Sequence, residues 1–180
     1  SSPWVGFKHF NTFFNSPDFW LVLKNTIGIS IYQLLVGFPF PIITALLLNQ
    51  LNSARYKKLI QKVIYAPHFI SVVVMVGMVA LFLSPRYGII NQAIKAAGGQ
   101  EIFFLAKPEY FKSIYVFSGI WQTTGWGTVI YLAALAGISP EIYESAVVDG
   151  ATKFQRLLHI DLPSILPTAI ILLILNSGHM

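Results

Sequence analysis

Glu144-Ser145-Ala146-Val147-Val148-Asp149-Gly150, nine residues, then Ile160-Asp161-Leu162-Pro163: this polar run sits between two apolar stretches near the C-terminus. Its flanks decide the fold. No Asp, Glu, Lys or Arg occurs from Ser113 to Pro140 or from Leu162 to Met180. Two further windows of this kind run from Asn25 to Ala54 and from Val63 to Pro85. About 20 mostly apolar residues cross about 30 Å of hydrocarbon. The windows therefore predict spans over 25–51, 63–84, 113–138 and 163–180, the last of them short. The expected fold class is an all-α polytopic membrane helix bundle, with the loop 139–162 outside the bilayer.

The bulk composition agrees. Of 180 residues, 55% are hydrophobic and 11% charged, with a mean hydropathy of +0.65. Soluble domains carry about 25% charged residues. The absence of cysteine removes disulfides, thiol catalysis and thiolate metal sites. A net charge of +5 in a soluble chain would point to nucleic acid. Here it reads as membrane topology, and no nucleic-acid partner is expected. Arg55, Lys57, Lys58 and Lys62 crowd the loop after the first span without an acid, which places it in the cytoplasm. The loop 139–162, two spans later, falls on the same side. The segment 86–112 falls outside; it also carries four basic residues, so the contrast is one of density. With Ser at position 1, no visible signal peptide and an apolar end, the sequence reads as a piece of a longer chain.

Local signals refine the spans. Gly37-Phe38-Pro39-Phe40-Pro41 predicts a kink, because proline removes a backbone donor. Ile89, Ile90, Ala93, Ile94 and Ala97 share one helical face, predicting a short interfacial helix that ends at Gly98-Gly99. Tyr110, Phe111, Tyr115 and Trp121 suit an aromatic belt. The spacings Gly119-x-x-x-Thr123 and Ala133-x-x-x-Gly137 suit close helix contacts.

The polar loop has helix punctuation of its own. Ser139 can cap, Pro140 suits the first helical position, and Glu141 faces the positive end of the dipole. Asp149-Gly150 ends this helix after Val148. Thr152-x-x-Gln155 matches a capping box for a second short helix, which Asp161-Leu162-Pro163 ends. Phe154, Leu157 and Leu158 are expected on one side, with Glu144, Asp149, Lys153 and Arg156 forming a charged side. Such a pair of helices either rests on lipid headgroups or plugs a groove on a cytoplasmic partner.

Ser118, Gln122 and Trp126 share one face of the third span. Polar side chains within spans face a bundle interior or a cavity. They are candidates for lining a substrate pathway, or for bonding between helices; the same alternatives apply to Gln33, His68 and Asn176. Enzyme chemistry is not expected: no span holds an acidic pair, a metal-ligand cluster or a nucleophile with an evident base. No catalytic residue, metal ligand or cofactor is expected. An ion-coupled transporter usually carries a charge inside a span, and none of the four windows has one. That class and a non-transport scaffold are the alternatives.

The run Glu144 to Pro163 resembles the coupling loop of permease subunits in ABC importers, whose pattern is Glu-Ala-Ala, three residues, Gly, nine residues, Ile-x-Leu-Pro. It matches at Glu144, Ala146, Gly150, Ile160, Leu162 and Pro163; Ser145 stands where the family has Ala. The rest of the chain is similar to the oligosaccharide branch of maltose-type and lipoprotein-like sugar permeases. That likeness rests on Gly37-Phe38-Pro39, Pro67-His68-Phe69-Ile70, Gly125-Trp126-Gly127 and the run Tyr131 to Gly137. The resemblance implies a type I importer permease core in a bacterial cell membrane, with four of six core spans present. It implies a cytoplasmic ABC ATPase dimer, a second permease subunit and an extracytoplasmic solute-binding protein as partners. The matching positions, together with Asp149 beside them, would couple the spans to the ATPase. ATP would bind those partners, since no phosphate loop is present here.

Overall fold

The computed structural model describes residues 6–178, and all regular structure among them is helical. A short helix α1 (Lys8–Phe14) precedes α2 (Pro17–Gly37) and α3 (Pro39–Asn49). Together α2 and α3 form a 33-residue helix, long and apolar enough to cross a membrane. It starts eight residues before the charge-free window, at Pro17. Proline suits a first turn because its missing N–H has no partner there anyway.

Pro39 and Pro41 remove the donors that would reach the carbonyls of Leu35 and Gly37. The backbone nevertheless stays helical at Phe38 (φ −61°, ψ −40°). The proline segment is packed on both sides. A Cβ on Gly37 would stand 3.3 Å from Ile120, and one on Gly127 would stand 3.0 Å from the Pro41 ring.

The second charge-free window is not one straight helix. Its chain runs through α4 (Ala54–Tyr65), a 3₁₀ turn (Ala66–Phe69) and α5 (Val72–Phe82), with a bend of 105°. Pro67 lies in the turn, Ile70 is extended, and the Ser71 hydroxyl accepts from the Val74 N–H to start α5. An apolar run conceals this break because hydropathy does not register a missing donor or a new cap. Arg55, Lys57, Lys58 and Lys62, the four basic residues expected on the cytoplasmic side, all lie on α4.

Helix α6 (Ile89–Ala96) forms where a short helix is expected, and Gly98 ends it with φ +84°. Its isoleucines Ile89 and Ile90 face outward. Turned inward is Asn91, fully buried. Its Nδ2 donates to the carbonyls of Leu83, Ser84 and Ile102 at 3.0–3.3 Å, and its Oδ1 accepts from the Ile102 N–H at 2.8 Å. One side chain thus pins the outer segment. Asn91→Leu keeps the volume but removes the side-chain partner of the Leu83 and Ile102 carbonyls and of the Ile102 N–H, while the Ser84 carbonyl keeps the Gly88 N–H; the cost is about 2 kcal/mol or more. Amide exchange across 89–102 is then expected to quicken on the order of thirtyfold; unchanged exchange would remove this role.

Helix α7 (Pro108–Ala136) is the centre of the bundle. Its 29 residues span about 43 Å at a rise of about 1.5 Å each. It packs on α2, α3, α4 and the 3₁₀ turn. By length and composition two helices qualify as spans, or three if the bent pair counts as one, and α7 is not among them. Its polar side chains are satisfied locally: Gln122, Thr124 and Thr128 bond to backbone carbonyls. The close approach is at neither expected small-residue pair. Gly119 has nothing within 4 Å of a Cβ position, and Gly137 meets only its own helix. It is at Gly125, where a Cβ would stand 2.7 Å from the Ile64 carbonyl carbon of α4 and closer still to its oxygen.

After α8 (Pro140–Val148), the chain ends in α9 (Lys153–Arg156), a π turn (Leu157–Asp161) and α10 (Leu162–Ser177), continuous over 25 residues. The core lies where α3, α7 and α10 meet: Ala45 and Leu46, Tyr131 and Leu135, Ile165 and Ala169. It sits directly beside the loop between α7 and α10.

Candidate functional site

The corner of this loop is built from local sequence. Ser139 starts α8 by its conformation (ψ 132°), with no hydrogen bond from its side chain, and Pro140 follows at the first position. At the far end Gly150 takes φ +74°. Its N–H reaches the Val147 carbonyl (3.0 Å) and the Ala151 N–H reaches that of Ala146 (2.8 Å). This pair of bonds is the Schellman motif, which requires a left-handed residue at that place. The capping box closes as the sequence predicts. Thr152 Oγ1 accepts from the Gln155 N–H at 3.3 Å, and Gln155 Oε1 accepts from the Thr152 N–H at 2.8 Å.

One expectation fails. Asp161-Leu162-Pro163 does not end the second helix, which runs through into α10. In an α-helix Pro163 would collide with the His159 carbonyl and leave it without a donor. The π turn widens the backbone there, and the Leu162 N–H bonds to Leu157, five residues back. Ser164 Oγ takes the Ile160 carbonyl at 2.6 Å. The extra residue also changes the register. Leu157 packs on the core while Phe154 and Leu158 are exposed, so the three do not share a side.

The buried hub is Asp161, with no exposed surface. Gln50 Nε2 donates to its Oδ2 at 2.7 Å, and Tyr143 Oη donates to its Oδ1 at 2.5 Å. Asn49 Nδ2 lies 3.4 Å from the Tyr143 hydroxyl. Burial, reinforced by the Asp161 acceptor, pushes the Tyr143 hydroxyl from 10.0 up to about 12. A raised value favours the protonated donor. The stabilisation is complete below pH 10 and fades as the pH climbs towards 12. Sequence reasoning missed this network. Its partners lie as many as 111 positions apart, and only the polar residues at the end of an apolar helix, Asn49 and Gln50, hinted at it.

The other loop residues divide by exposure. Tyr143 and Ala146 turn inward and are half-buried, as are Ile160 and Leu162. Glu144, Asp149, Gly150 and Pro163 are exposed. Neither Glu144 nor Asp149 has an ion pair among the described residues. Beside them Val148 is 87% exposed and Phe154 67%, with Ile142 and Val147 also open. Apolar tips around unpaired acids form a surface that is chemically incomplete alone.

The pathway candidates do not come together in one cleft. Ser118 Oγ donates to its own helix at Tyr115. Gln122 Nε2 donates to the Ile70 carbonyl (2.9 Å), closing the break before α5. Trp126 stacks on His68, with centroids 4.9 Å apart. Trp126 also lines a cleft of about 460 Å³ among α2, α3, α7 and α10, together with Gln33, Thr123, Tyr131 and Asn176. The amides of Gln33 and Asn176 make no hydrogen bond among the described residues.

Residues 30–180 match the family described as binding-protein-dependent transport system inner membrane component. Among curated proteins, the chain is 46% identical to Protein LplB of Bacillus subtilis (strain 168) over 98% of its own length and 56% of LplB. It is 44% identical to the polygalacturonan/rhamnogalacturonan transport system permease protein YteP of the same organism, over 98% of the chain and 55% of the relative. Among solved structures, it matches a bacterial ABC transporter involved in the import of the acidic polysaccharide alginate. The TM-score is 0.94 at 45% identity, covering 99% of this chain and 63% of that one. The chain thus spans about half the length of the curated relatives it matches. With the matched region covering most of its helices, the chain belongs to the binding-protein-dependent transport system inner membrane components, a family of transport permease subunits.

Proposed function

We propose that this chain is the core of a permease subunit of an ATP-driven ABC importer for oligosaccharides, and that α8 couples its spans to an ATPase. The observation that carries the coupling role is the corner 139–155. A Schellman motif and a capping box stiffen it, while Glu144, Asp149 and its apolar tips stay exposed and unpaired. Resting on headgroups would not call for such a rigid shape. The partners are a pair of cytoplasmic ATPase subunits, a second permease subunit and an extracytoplasmic solute-binding protein. ATP hydrolysis belongs to the ATPase subunits.

Relatives named for polygalacturonan/rhamnogalacturonan and for alginate support saccharides that carry carboxylates as the substrate class. A complex holding an alginate pentasaccharide-bound periplasmic protein, matched with a TM-score of 0.93, supports delivery from outside. Of the pathway residues, Trp126 keeps its role in this reading: one ring face is held by His68, and an edge of the cleft is open to a sugar. Gln33 and Asn176 supply amides to hydroxyl groups there, while Gln122 serves the break before α5.

Affinity purification of the full-length subunit from its native membrane tests the assignment. An ATPase subunit and a second permease are expected to co-purify, and vesicles holding that complex are expected to take up oligosaccharide only with ATP and binding protein. Uptake driven by an ion gradient without ATP would overturn it.

A further inference from the structure

We infer that the Asp161 carboxylate is a positioning strut that locks the coupling helix α8 to the inner ends of α3 and α10, so that the three move as one body. The inference rests on the coupling role proposed for α8 and names the joint through which that role acts.

Three features carry it. Asp161 is fully buried, yet no ion pair holds it among the described residues. A buried carboxylate is tolerated only with donors on its oxygens. Each oxygen has one, and the two come from different elements: Gln50, capping α3, and Tyr143, on the inward face of α8. The third element is α10 itself, because Asp161 closes the π turn that leads into it. An inserted residue rotates the rest of the helix by about 100°, so this turn aims Asp161 at the other two. Charged hydrogen bonds are stronger and more directional than neutral ones. Such a joint transmits displacement where an apolar contact would slide. Arg156, whose Nε is buried without a hydrogen-bond partner, is a cation close enough to act on the Tyr143 hydroxyl.

The test uses the full-length subunit in its assembled complex, in vesicles supplied with binding protein and oligosaccharide. Asp161→Asn and Tyr143→Phe each weaken one side of the joint while nearly preserving volume. Both are expected to leave ATP hydrolysis near normal and to lower oligosaccharide moved per ATP, by about tenfold for Asp161→Asn. These 180 residues hold no cysteine, and any cysteine elsewhere in the complex is replaced before spin labels are attached. Labels at Val148 of α8 and Leu47 of α3, both exposed, report the joint. The interlabel distance is expected to hold constant between the nucleotide-free and ATP-bound complexes in the parent protein, and to change between those states in Asp161→Asn.

A constant distance with an unchanged transport-to-hydrolysis ratio in both variants overturns the strut. If Asp161→Asn fails to assemble, Tyr143→Phe alone decides by the same two readouts. Failure of α8 to contact the ATPase in the parent complex would instead overturn the coupling reading beneath it.

Discussion

Glu144→Lys in the full-length subunit is expected to abolish most uptake while leaving membrane insertion and subunit levels unchanged. Glu144 is exposed and makes no ion pair among the described residues, so its replacement removes no internal contact. Exposed substitutions of this kind usually change stability by less than about 0.5 kcal/mol. The effect must therefore arise at a partner. Reversing a charge at a docked surface costs several kcal/mol, enough to cut ATP-dependent uptake about a hundredfold. Uptake and ATP hydrolysis are measured side by side in vesicles. Normal uptake by the lysine variant would argue that α8 touches lipid alone.

Gly125→Val is expected to have the largest effect on folding. The Cβ position on Gly125 lies 2.7 Å from the Ile64 carbonyl carbon and 3.0 Å from the Tyr65 Cα, with the Ile64 oxygen nearer than either. These are backbone atoms, so no side chain can swing away. Either α4 separates from α7 or the helix distorts, and overpacking of this sort costs about 1–3 kcal/mol or more. Even Gly125→Ala is expected to lower the thermal midpoint, although alanine favours helix by about 1 kcal/mol over glycine. Gly119→Ala is the control on the same helix. With nothing within 4 Å of its Cβ position, it is expected to be neutral or stabilising. Equal thermal midpoints for the two alanine variants in detergent would mean that α4 and α7 do not cross closely there.

The parts of this molecule that were legible in the sequence are those fixed by near neighbours. The ends of α8 and the start of α9 follow from Ser139-Pro140, which set the backbone conformation, and from Gly150 and Thr152-x-x-Gln155, where a few residues satisfy one another's backbone groups. Gly98 likewise ends α6 as expected. Legibility stops where distant residues decide. The passage through Pro163 needed a π turn, and its stabilising partner Gln50 lies 111 positions away. The bend after Tyr65 was hidden in a uniformly apolar window, and its break is closed by Gln122 from another helix. The pathway residues show the same limit. Shared spacing put Ser118, Gln122 and Trp126 on one face, but the crossing helices gave each a different environment.

The central claim is that α8 seats in a cytoplasmic ATPase. A single cysteine at Val148, 87% exposed on α8, puts a probe at its tip, with any cysteine outside these cysteine-free 180 residues replaced first. Full-length subunit carrying this cysteine is treated in its assembled complex with a short bifunctional thiol reagent, against single cysteines placed around the ATPase cleft. The expected result is an efficient cross-link to the ATPase that changes in yield when ATP binds. No cross-link at any ATPase position, with Val148 labelled instead by a lipid-phase probe, would contradict the account.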